Sequence, residues 1–217
     1  GGILSACTWY HFAVVRSSGT STMYVNGVVT GTPNVSDTTN YATTDAVIGT
    51  VGDARGSYDG YFKGYISNLR AVKGTAVYTA QFVTPTQPLT AISGTSLLTC
   101  AAPILIDQSS AVLAITPNGN ALATNNYPFA TAATATATVP QYSMYFDGSD
   151  DYVRFPNNAA TNIGTGDFTM EFWMYGYNGN TARLVSNSDW NTSAGYDIAI
   201  EDGEVHFRSG NNNDKVF

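Results

Sequence analysis

The chain has 217 residues, of which 43% are hydrophobic and 12% charged, enough apolar material for one large folded domain or two small ones. Its 21 glycines and 14 tyrosines, with abundant Thr, Ala, Asn and Ser, favour strands joined by turns over long helices. Sixteen acidic residues against nine basic ones argue against a nucleic-acid partner, because phosphate binding requires clustered Lys and Arg. No apolar run approaches the roughly 18 residues of a membrane span, so membrane insertion is not expected.

The first 100 residues predict a series of strands. The segment WYHFAVVR at 9–16 is apolar on both faces, which is typical of a central strand. TMYVNGVVTG at 22–31 predicts a hairpin that turns at Asn26-Gly27, because both turn residues must accept a positive φ. AVIGTVG, GYFKGYISNLRAVK and TSLLTC add short strands, whereas 79–92 contains two prolines and predicts a loop. Cys7 and Cys100 are most simply two buried free thiols.

The segment 101–141 differs in composition from the rest of the chain. It contains two weak strand patterns, ILID and AVLAIT, and then the low-complexity run ATAATATATVP at 130–140. Such small residues bury little area, so this run predicts an extended connector. From residue 142 the strand pattern returns in YSMYF, DYVRF, FTMEFWMY and ARLVSN.

The clearest hairpin is YDIAIEDGEVHFR at 196–208, which turns at Asp202-Gly203. Pairing across that turn places Asp197 opposite Arg208 on the polar face. The opposite, apolar face then carries four side chains: Ile198, Ile200, Val205 and Phe207. Many short strands with almost no helical periodicity predict an all-β sandwich or barrel.

Two blocks resemble the laminin-G-like, concanavalin-A-like jelly-roll module that is repeated in bacteriophage and other virion surface proteins. SMYFDGSDDYVRFP at 143–156 and GTGDFTMEFWMY at 164–175 resemble its first strands. WYHFAVVRSSGTSTMYVNGV and GYISNLRAVKGTAVYT resemble its second half. The resemblance implies an all-β, two-sheet antiparallel sandwich.

The order of the two blocks is reversed relative to that module. Residues 142–217 resemble its first half, residues 1–100 its second half, and residues 101–141 a spacer. Either 142–217 folds back on 1–100 as a circularly permuted sandwich, or each part completes a sandwich with a neighbouring repeat. The single permuted sandwich is favoured, because an intramolecular partner has the higher effective concentration. It predicts that Gly1 and Phe217 lie close together.

The acidic loop DGSDDY is a candidate metal site, because Asp147, Asp150 and Asp151 bring together the hard oxygen ligands that suit calcium. It is not an EF-hand, since Tyr152 stands where that loop requires Gly. The alternative is that Asp147-Gly148 forms a turn and the other carboxylates are solvated. The second interpretation is favoured.

No catalytic group emerges from the sequence. Glu201 and Glu204 face each other across a tight hairpin, without the strand of carboxylates that a glycosidase of this fold carries. His11 lies inside a central strand and is most simply a satisfied structural residue, and no nucleophile motif is present. The chain is therefore expected not to be an enzyme.

Aromatic residues in polar loops are candidates for carbohydrate contact. Trp190 could stack on a sugar ring while Asp189 and Asn191 bind its hydroxyls, and Tyr58 with Asp59 could act in the same way. A loop aromatic that covers the core is the equally simple alternative. Trp9 and Trp173 lie in strongly apolar strands and are expected in the core.

These observations and the resemblance favour a non-enzymatic structural or adhesive module of a virion or extracellular assembly, such as a fibre, tail appendage or capsid decoration. Its location would be the virion surface or the outside of the cell. Its partners would be other copies of itself, neighbouring subunits or a cell-surface glycan. The alternative is a calcium-assisted lectin that binds carbohydrate through loops 147–151 and 187–191.

Overall fold

The computed structural model describes residues 4–42, 45–52, 58–129, 141–176, 181–187, 195–209 and 213–216. All regular elements in these ranges are strands, as the sequence predicted, and the pairs they form are antiparallel. The strands are β1 (Trp9–Ser17), β2 (Thr20–Val25), β3 (Val28–Ser36), β4 (Ala46–Ile48), β5 (Val51–Gly52), β6 (Tyr58–Asp59), β7 (Lys63–Lys73), β8 (Thr95–Thr99), β9 (Thr116–Asn118), β10 (Leu122–Thr124), β11 (Ser143–Asp147), β12 (Tyr152–Phe155), β13 (Phe168–Tyr175), β14 (Ala182–Ser186), β15 (Tyr196–Glu201), β16 (Glu204–Ser209) and β17 (Asn213–Val216).

The strands form two large sheets and one small one. The first sheet has eight strands in the order β10-β11-β7-β13-β1-β2-β3, with β8 paired to β7. The second sheet has seven strands in the order β17-β16-β15-β14-β4-β12-β9. The short strands β5 and β6 pair with each other. Nowhere in the described part of the chain does a helix reach the length and hydropathy that a membrane crossing requires.

Strands from the two parts of the chain, 1–100 and 142–216, are neighbours within both sheets. β13 lies between β1 and β7, with Trp9 opposite Tyr175 and Arg16 opposite Phe168. In the second sheet β4 lies between β12 and β14. The backbone N–H of Leu4 also donates to the carbonyl of Gly203, at 3.1 Å. Gly1 and Phe217, which were expected to lie close together, are outside the described residues.

The main core lies between the two sheets and follows the alternation of each strand. Phe12 and Val14 of β1 point into it, as do Phe172 and Met174 of β13. Each fully buried side chain of this size contributes about 1.5–3 kcal/mol of transfer free energy. The second sheet supplies the facing side chains: Ile48, Val153, Phe155, Leu184, Ile198, Ile200 and Phe207. This packing fixes which face of each strand is turned outward.

A segment without regular structure, residues 74–92, covers part of the outer face of the first sheet. We call it the covering segment. The rings of Tyr78 and Phe82 stack at 3.6 Å, and they pack on Ala13, Val15 and Tyr24. The N–H of Phe82 donates to the carbonyl of Gly27 at 3.0 Å, and a Cβ at Gly27 would lie 1.9 Å from the Phe82 carbonyl oxygen. The Asn26-Gly27 turn therefore needs glycine both for its φ of 76° and for this close approach.

A buried arginine at the end of β1 forms hydrogen bonds with the two loops that contain Thr39 and Gly164. Arg16 is fully buried and donates to the carbonyl oxygens of Thr39, Gly164 and Gly166 at 2.6–2.8 Å. Its guanidinium lies 3.7 Å from a carboxylate oxygen of Asp37 and 5.1 Å from the centre of the Tyr41 ring. The three carbonyls and one carboxylate satisfy a charge that would otherwise be costly to bury.

Most of the predicted strands are confirmed. Both hairpins turn where the sequence indicated, and Asp202 and Gly203 have φ values of 50° and 83°. The weak strands were placed wrongly: ILID is not a strand, and AVLAIT contributes only its last residue, Thr116, to β9, which β10 follows. The carboxylate of Asp107 is the physical reason, because it accepts hydrogen bonds from the N–H groups of Leu98, Ser109 and Leu113 and holds this stretch as a loop. The connector at 130–140 lies outside the described residues.

Candidate functional site

Four aromatic side chains form a row on the outer face of the first sheet, beyond the covering segment. Trp9 lies opposite Tyr175, Tyr175 opposite Tyr65, and Tyr65 opposite Tyr145, on the four adjacent strands β1, β13, β7 and β11. The ring centres of these three pairs are 5.4, 5.8 and 5.1 Å apart. We call these four residues the aromatic row.

The alternation of the strands explains why the aromatic row faces outward. Phe12, Ile66, Met144 and Met174 belong to the core between the sheets, so residues of opposite parity on the same strands point away from it. All four side chains of the aromatic row are half-buried. Trp9 was expected in the core, and that prediction is wrong because its neighbours on β1 already supply the inward face.

The adjacent row of side chains on the same outer face is covered by other parts of the chain. His11 and Trp173 lie opposite each other and are buried, with Phe82 packing on His11 and Phe129 packing on Trp173. The expected burial of Trp173 is confirmed. The open part of this face therefore ends at the aromatic row.

Beyond the row of His11 and Trp173, Glu171 of β13 is fully buried and is the centre of a polar network. One carboxylate oxygen accepts from Arg70 Nε at 3.0 Å and Nη2 at 2.5 Å. The other accepts from the Tyr78 hydroxyl at 2.7 Å and lies 3.2 Å from His11 Nε2. Arg70 also donates to the carbonyl of Thr90. Glu171 thus holds the covering segment on the sheet at two points.

Electrostatics keep Glu171 ionised. Burial acts to raise its pKa, but the hydrogen bond from His11 and the charge of Arg70 outweigh it, so the pKa lies below its ordinary value of 4.5. The same burial, with the adjacent Glu171 charge, raises the pKa of the Tyr78 hydroxyl. An acid held this way is a poor proton donor, because its proton is absent and its oxygens are occupied.

Of the two carboxylates considered for hydrolysis, Glu201 is engaged in the same manner, whereas Glu204 is exposed. Glu201 accepts from both terminal nitrogens of Arg208, at 2.6 and 2.5 Å, and lies 3.1 Å from Arg183. Glu201 and Glu204 do face each other across the hairpin. Glycoside hydrolysis needs two carboxylates that face one sugar, and with Glu201 held by two arginines only Glu204 of this pair remains available.

The acidic loop is organised around Asp151. Oxygen atoms of Asp147, Asp150 and Asp151 lie within 4.8 Å of one another. Asp151 is fully buried, and its two oxygens accept from the N–H of Asp147 at 2.8 Å and the N–H of Asn120 at 2.6 Å. Asp151 therefore joins the β11–β12 turn to the β9–β10 turn. Asp150 is exposed.

The turn next to Asp151 has no room for a side chain. Gly119 has a φ of 66°, and a Cβ there would lie 2.4 Å from an oxygen of Asp151. Asp147 accepts from the N–H of Ser149 at 2.8 Å, which confirms the predicted turn at Asp147-Gly148. The expectation that the other two carboxylates are solvated is wrong for Asp151, which is fully buried. The three carboxylates are brought together, as the calcium hypothesis required.

The structure does not test the predicted carbohydrate contacts. Asp189, Trp190 and Asn191 lie outside the described residues. Tyr58 and Asp59 form β6, and only their backbone is described. Sequence reasoning missed the aromatic row because its members are far apart in the chain and only the strand register aligns them.

Both cysteines are free thiols, as expected, but they differ in exposure. Cys100 is buried and Cys7 is exposed, so the prediction that both are buried is wrong for Cys7. Burial raises the pKa of the Cys100 thiol to about 12, which makes it unreactive. Cys7 lies next to the aromatic row, and its proximity raises the pKa of the Tyr175 hydroxyl.

Two antiparallel sheets packed through an apolar core define a concanavalin A-like jelly-roll sandwich. Two family models match parts of the chain. Residues 1–78 match the model of the Concanavalin A-like lectin/glucanases superfamily, and residues 123–216 match that of the Clostridium neurotoxin, N-terminal receptor binding. Comparisons with curated proteins and with solved structures gave no match.

Proposed function

We propose that this chain is a non-enzymatic adhesive module of an extracellular or virion assembly. The observation that carries the proposal is the aromatic row, a strip of four half-buried rings on the outer face of the first sheet. Half-exposed aromatic side chains aligned in this way supply a large, rigid contact area at a small loss of conformational entropy. The carboxylates of Glu171 and Glu201 are held by arginines, which supports a non-enzymatic role for these two residues.

The matched family models support binding and an extracellular setting. One describes lectins and glucanases and the other a receptor-binding domain. The partners of this chain would be a cell-surface glycan, neighbouring subunits or further copies of itself. The location would be the virion surface or the outside of a cell.

We further propose that one chain forms the sandwich in circularly permuted order. In support of this, strands of residues 1–100 are neighbours of strands of residues 142–216 in both sheets. A dilution series in analytical ultracentrifugation, with circular dichroism in parallel, tests it. A chain that stays folded as a monomer agrees with the proposal. Loss of strand content on dilution would instead favour completion by a neighbouring repeat.

A calcium-assisted lectin is the second candidate, and the clustering of Asp147, Asp150 and Asp151 favours it. Its sugar contacts would come from Trp190, Asp189 and Asn191, with Tyr58 and Asp59 beside them. Binding that disappears in chelator and returns with added calcium would support this candidate over the first.

Adhesion without catalysis is tested by immobilising the chain against three probes: a panel of polysaccharides, whole bacterial cells and the chain itself. We expect saturable retention of at least one probe, reduced when Trp9 and Tyr65 are both replaced by Ala. Mass spectrometry of the supernatant should detect no released fragments. Steady release of soluble oligosaccharide would overturn the non-enzymatic proposal.

A further inference from the structure

We infer that the aromatic row is a binding site for a neutral oligosaccharide, whose sugar rings pack on the side chains of Trp9, Tyr175, Tyr65 and Tyr145. The inference rests on the proposed function and names the ligand class of its surface. It places the sugar on the outer face of the first sheet rather than on the segments around Trp190 and Tyr58.

The dimensions of the aromatic row favour an oligosaccharide over a single sugar. Its members lie on four adjacent strands in direct register, with ring centres 5.1–5.8 Å apart. Since neighbouring strands are separated by about 4.8 Å, the row is roughly 15 Å long. A monosaccharide would cover only part of it, whereas a linear chain of several sugars could contact every ring.

The chemistry of the side chains requires a ligand with both apolar and hydroxyl surface. The rings offer apolar area, which packs on the C–H face of a sugar. Among the described residues, the hydroxyls of Tyr65 and Tyr145 have no hydrogen-bond partner and are available to sugar hydroxyls. A purely apolar partner would leave these hydroxyls unsatisfied on burial.

The charges near the aromatic row favour a neutral ligand. Lys63 and Asp147 lie opposite each other, two residues beyond Tyr65 and Tyr145 on the same face. Their charges are opposite, so neither sign of charge predominates at this edge of the row. On the other side, the charge of Glu171 is paired with Arg70. The chain as a whole carries a net charge of −7, which disfavours acidic glycans further.

The aromatic row is also rigid before any ligand binds. Its members pack directly on their cross-strand neighbours, and the strands below them belong to the centre of the larger sheet. Next to the two central members of the row, Tyr65 and Tyr175, the backbones of Gly64 and Gly176 are in contact: a Cβ at Gly176 would lie 2.9 Å from the Gly64 Cα. A preformed surface loses little entropy on binding.

The test is a screen of the purified chain on an array of neutral and acidic oligosaccharides, followed by fluorescence titration of the best neutral tetrasaccharide. Both are performed in chelator and in calcium. Trp9 lies in the row, so its emission should change on binding. The variants are Tyr65→Ala, which removes a ring, and Tyr65→Phe, which removes only the hydroxyl. Tyr152→Ala is the matched control, a half-buried tyrosine on the second sheet.

We expect neutral oligosaccharides to bind in both conditions. Tyr65→Ala should weaken binding about tenfold or more, Tyr65→Phe a few-fold, and Tyr152→Ala not at all, with unchanged circular dichroism in each variant. Bound sugar should also slow the alkylation of Cys7, which lies beside Tyr175.

Three results would overturn the inference. The first is glycan binding that Tyr65→Ala leaves unchanged, which would favour the sugar contacts predicted around Trp190 and Tyr58. The second is self-association or adhesion to cells that Tyr65→Ala abolishes without any glycan bound; the proposed function would then stand with another ligand. The third is a folded chain that binds neither glycan, cells nor itself, which would overturn the proposed function as well.

Discussion

Replacing Glu171 by Gln tests whether the buried network holds the covering segment on the sheet. The amide has nearly the same shape and can keep its carbonyl toward Arg70 while its nitrogen donates to Tyr78 and His11. Hydrogen bonding is therefore largely preserved, and the change removes the charge alone. Arg70, only 6% exposed, is left without a carboxylate partner.

The size of the effect follows from that buried charge. Breaking a buried ion pair by removing one partner costs about 3–5 kcal/mol, so Glu171→Gln should lower the free energy of unfolding by this amount. Tyr78→Phe removes a single hydrogen bond to a charged group and should cost about 1.5–3 kcal/mol. The double variant Arg70→Met, Glu171→Met removes both charges and should recover most of the loss.

Urea denaturation followed by tryptophan fluorescence measures these changes at pH 7. The pH dependence supplies a second readout. Because the folded-state pKa of Glu171 lies below 4.5, its stabilising contribution is complete above pH 4.5 and is lost as the pH falls through the folded-state value. The difference between wild type and Glu171→Gln should therefore shrink in acid.

Limited proteolysis should also detect faster cleavage within residues 79–92 of Glu171→Gln. A loss of stability below about 1 kcal/mol at pH 7, with unchanged proteolysis, would refute the reasoning. It would mean that the packing of Tyr78 and Phe82 alone retains the covering segment.

Three further predictions concern the rest of the fold. Asp151→Ala should lower the free energy of unfolding by about 2–4 kcal/mol in chelator as well as in calcium, because the Asp151 oxygens accept two backbone N–H groups. Asp150→Ala should leave the stability nearly unchanged. A loss of stability seen only in calcium would indicate a bound ion instead. Cys7 should react with Ellman's reagent at once and Cys100 only after unfolding, and two fast thiols would contradict the burial of Cys100. Arg16→Lys should lower stability by about 3 kcal/mol, since an ammonium cannot reach three carbonyls in a plane; a melting temperature within about 2 °C of wild type would argue against this.

The strands themselves were predictable because local patterns determine them. The Asn26-Gly27 and Asp202-Gly203 turns fix the register of their hairpins, and the alternation of Ile198, Ile200 and Phe207 fixes the buried face. The failure at ILID and AVLAIT has an equally local cause: a single aspartate, Asp107, satisfies the backbone of a loop and removes the need for a ladder.

The aromatic row could not be predicted in the same way. Trp9, Tyr65, Tyr145 and Tyr175 come from four strands, and each looks like an ordinary core aromatic in its own segment. Only the register of long-range pairs, such as Trp9 with Tyr175, shows that they are neighbours. The Glu171 network was missed for the same reason, because its donors come from β1, β7 and the covering segment.

The most direct test of the account is calorimetric titration of a neutral tetrasaccharide into the wild-type chain and into Trp9→Ala, Tyr145→Ala, both in chelator. We predict saturable binding to the wild type with a negative heat-capacity change, loss of binding in the double variant, and intact sugar recovered afterwards. Equal binding by both chains, or recovery of cleaved sugar, would contradict the claim that the aromatic row is a non-catalytic binding surface.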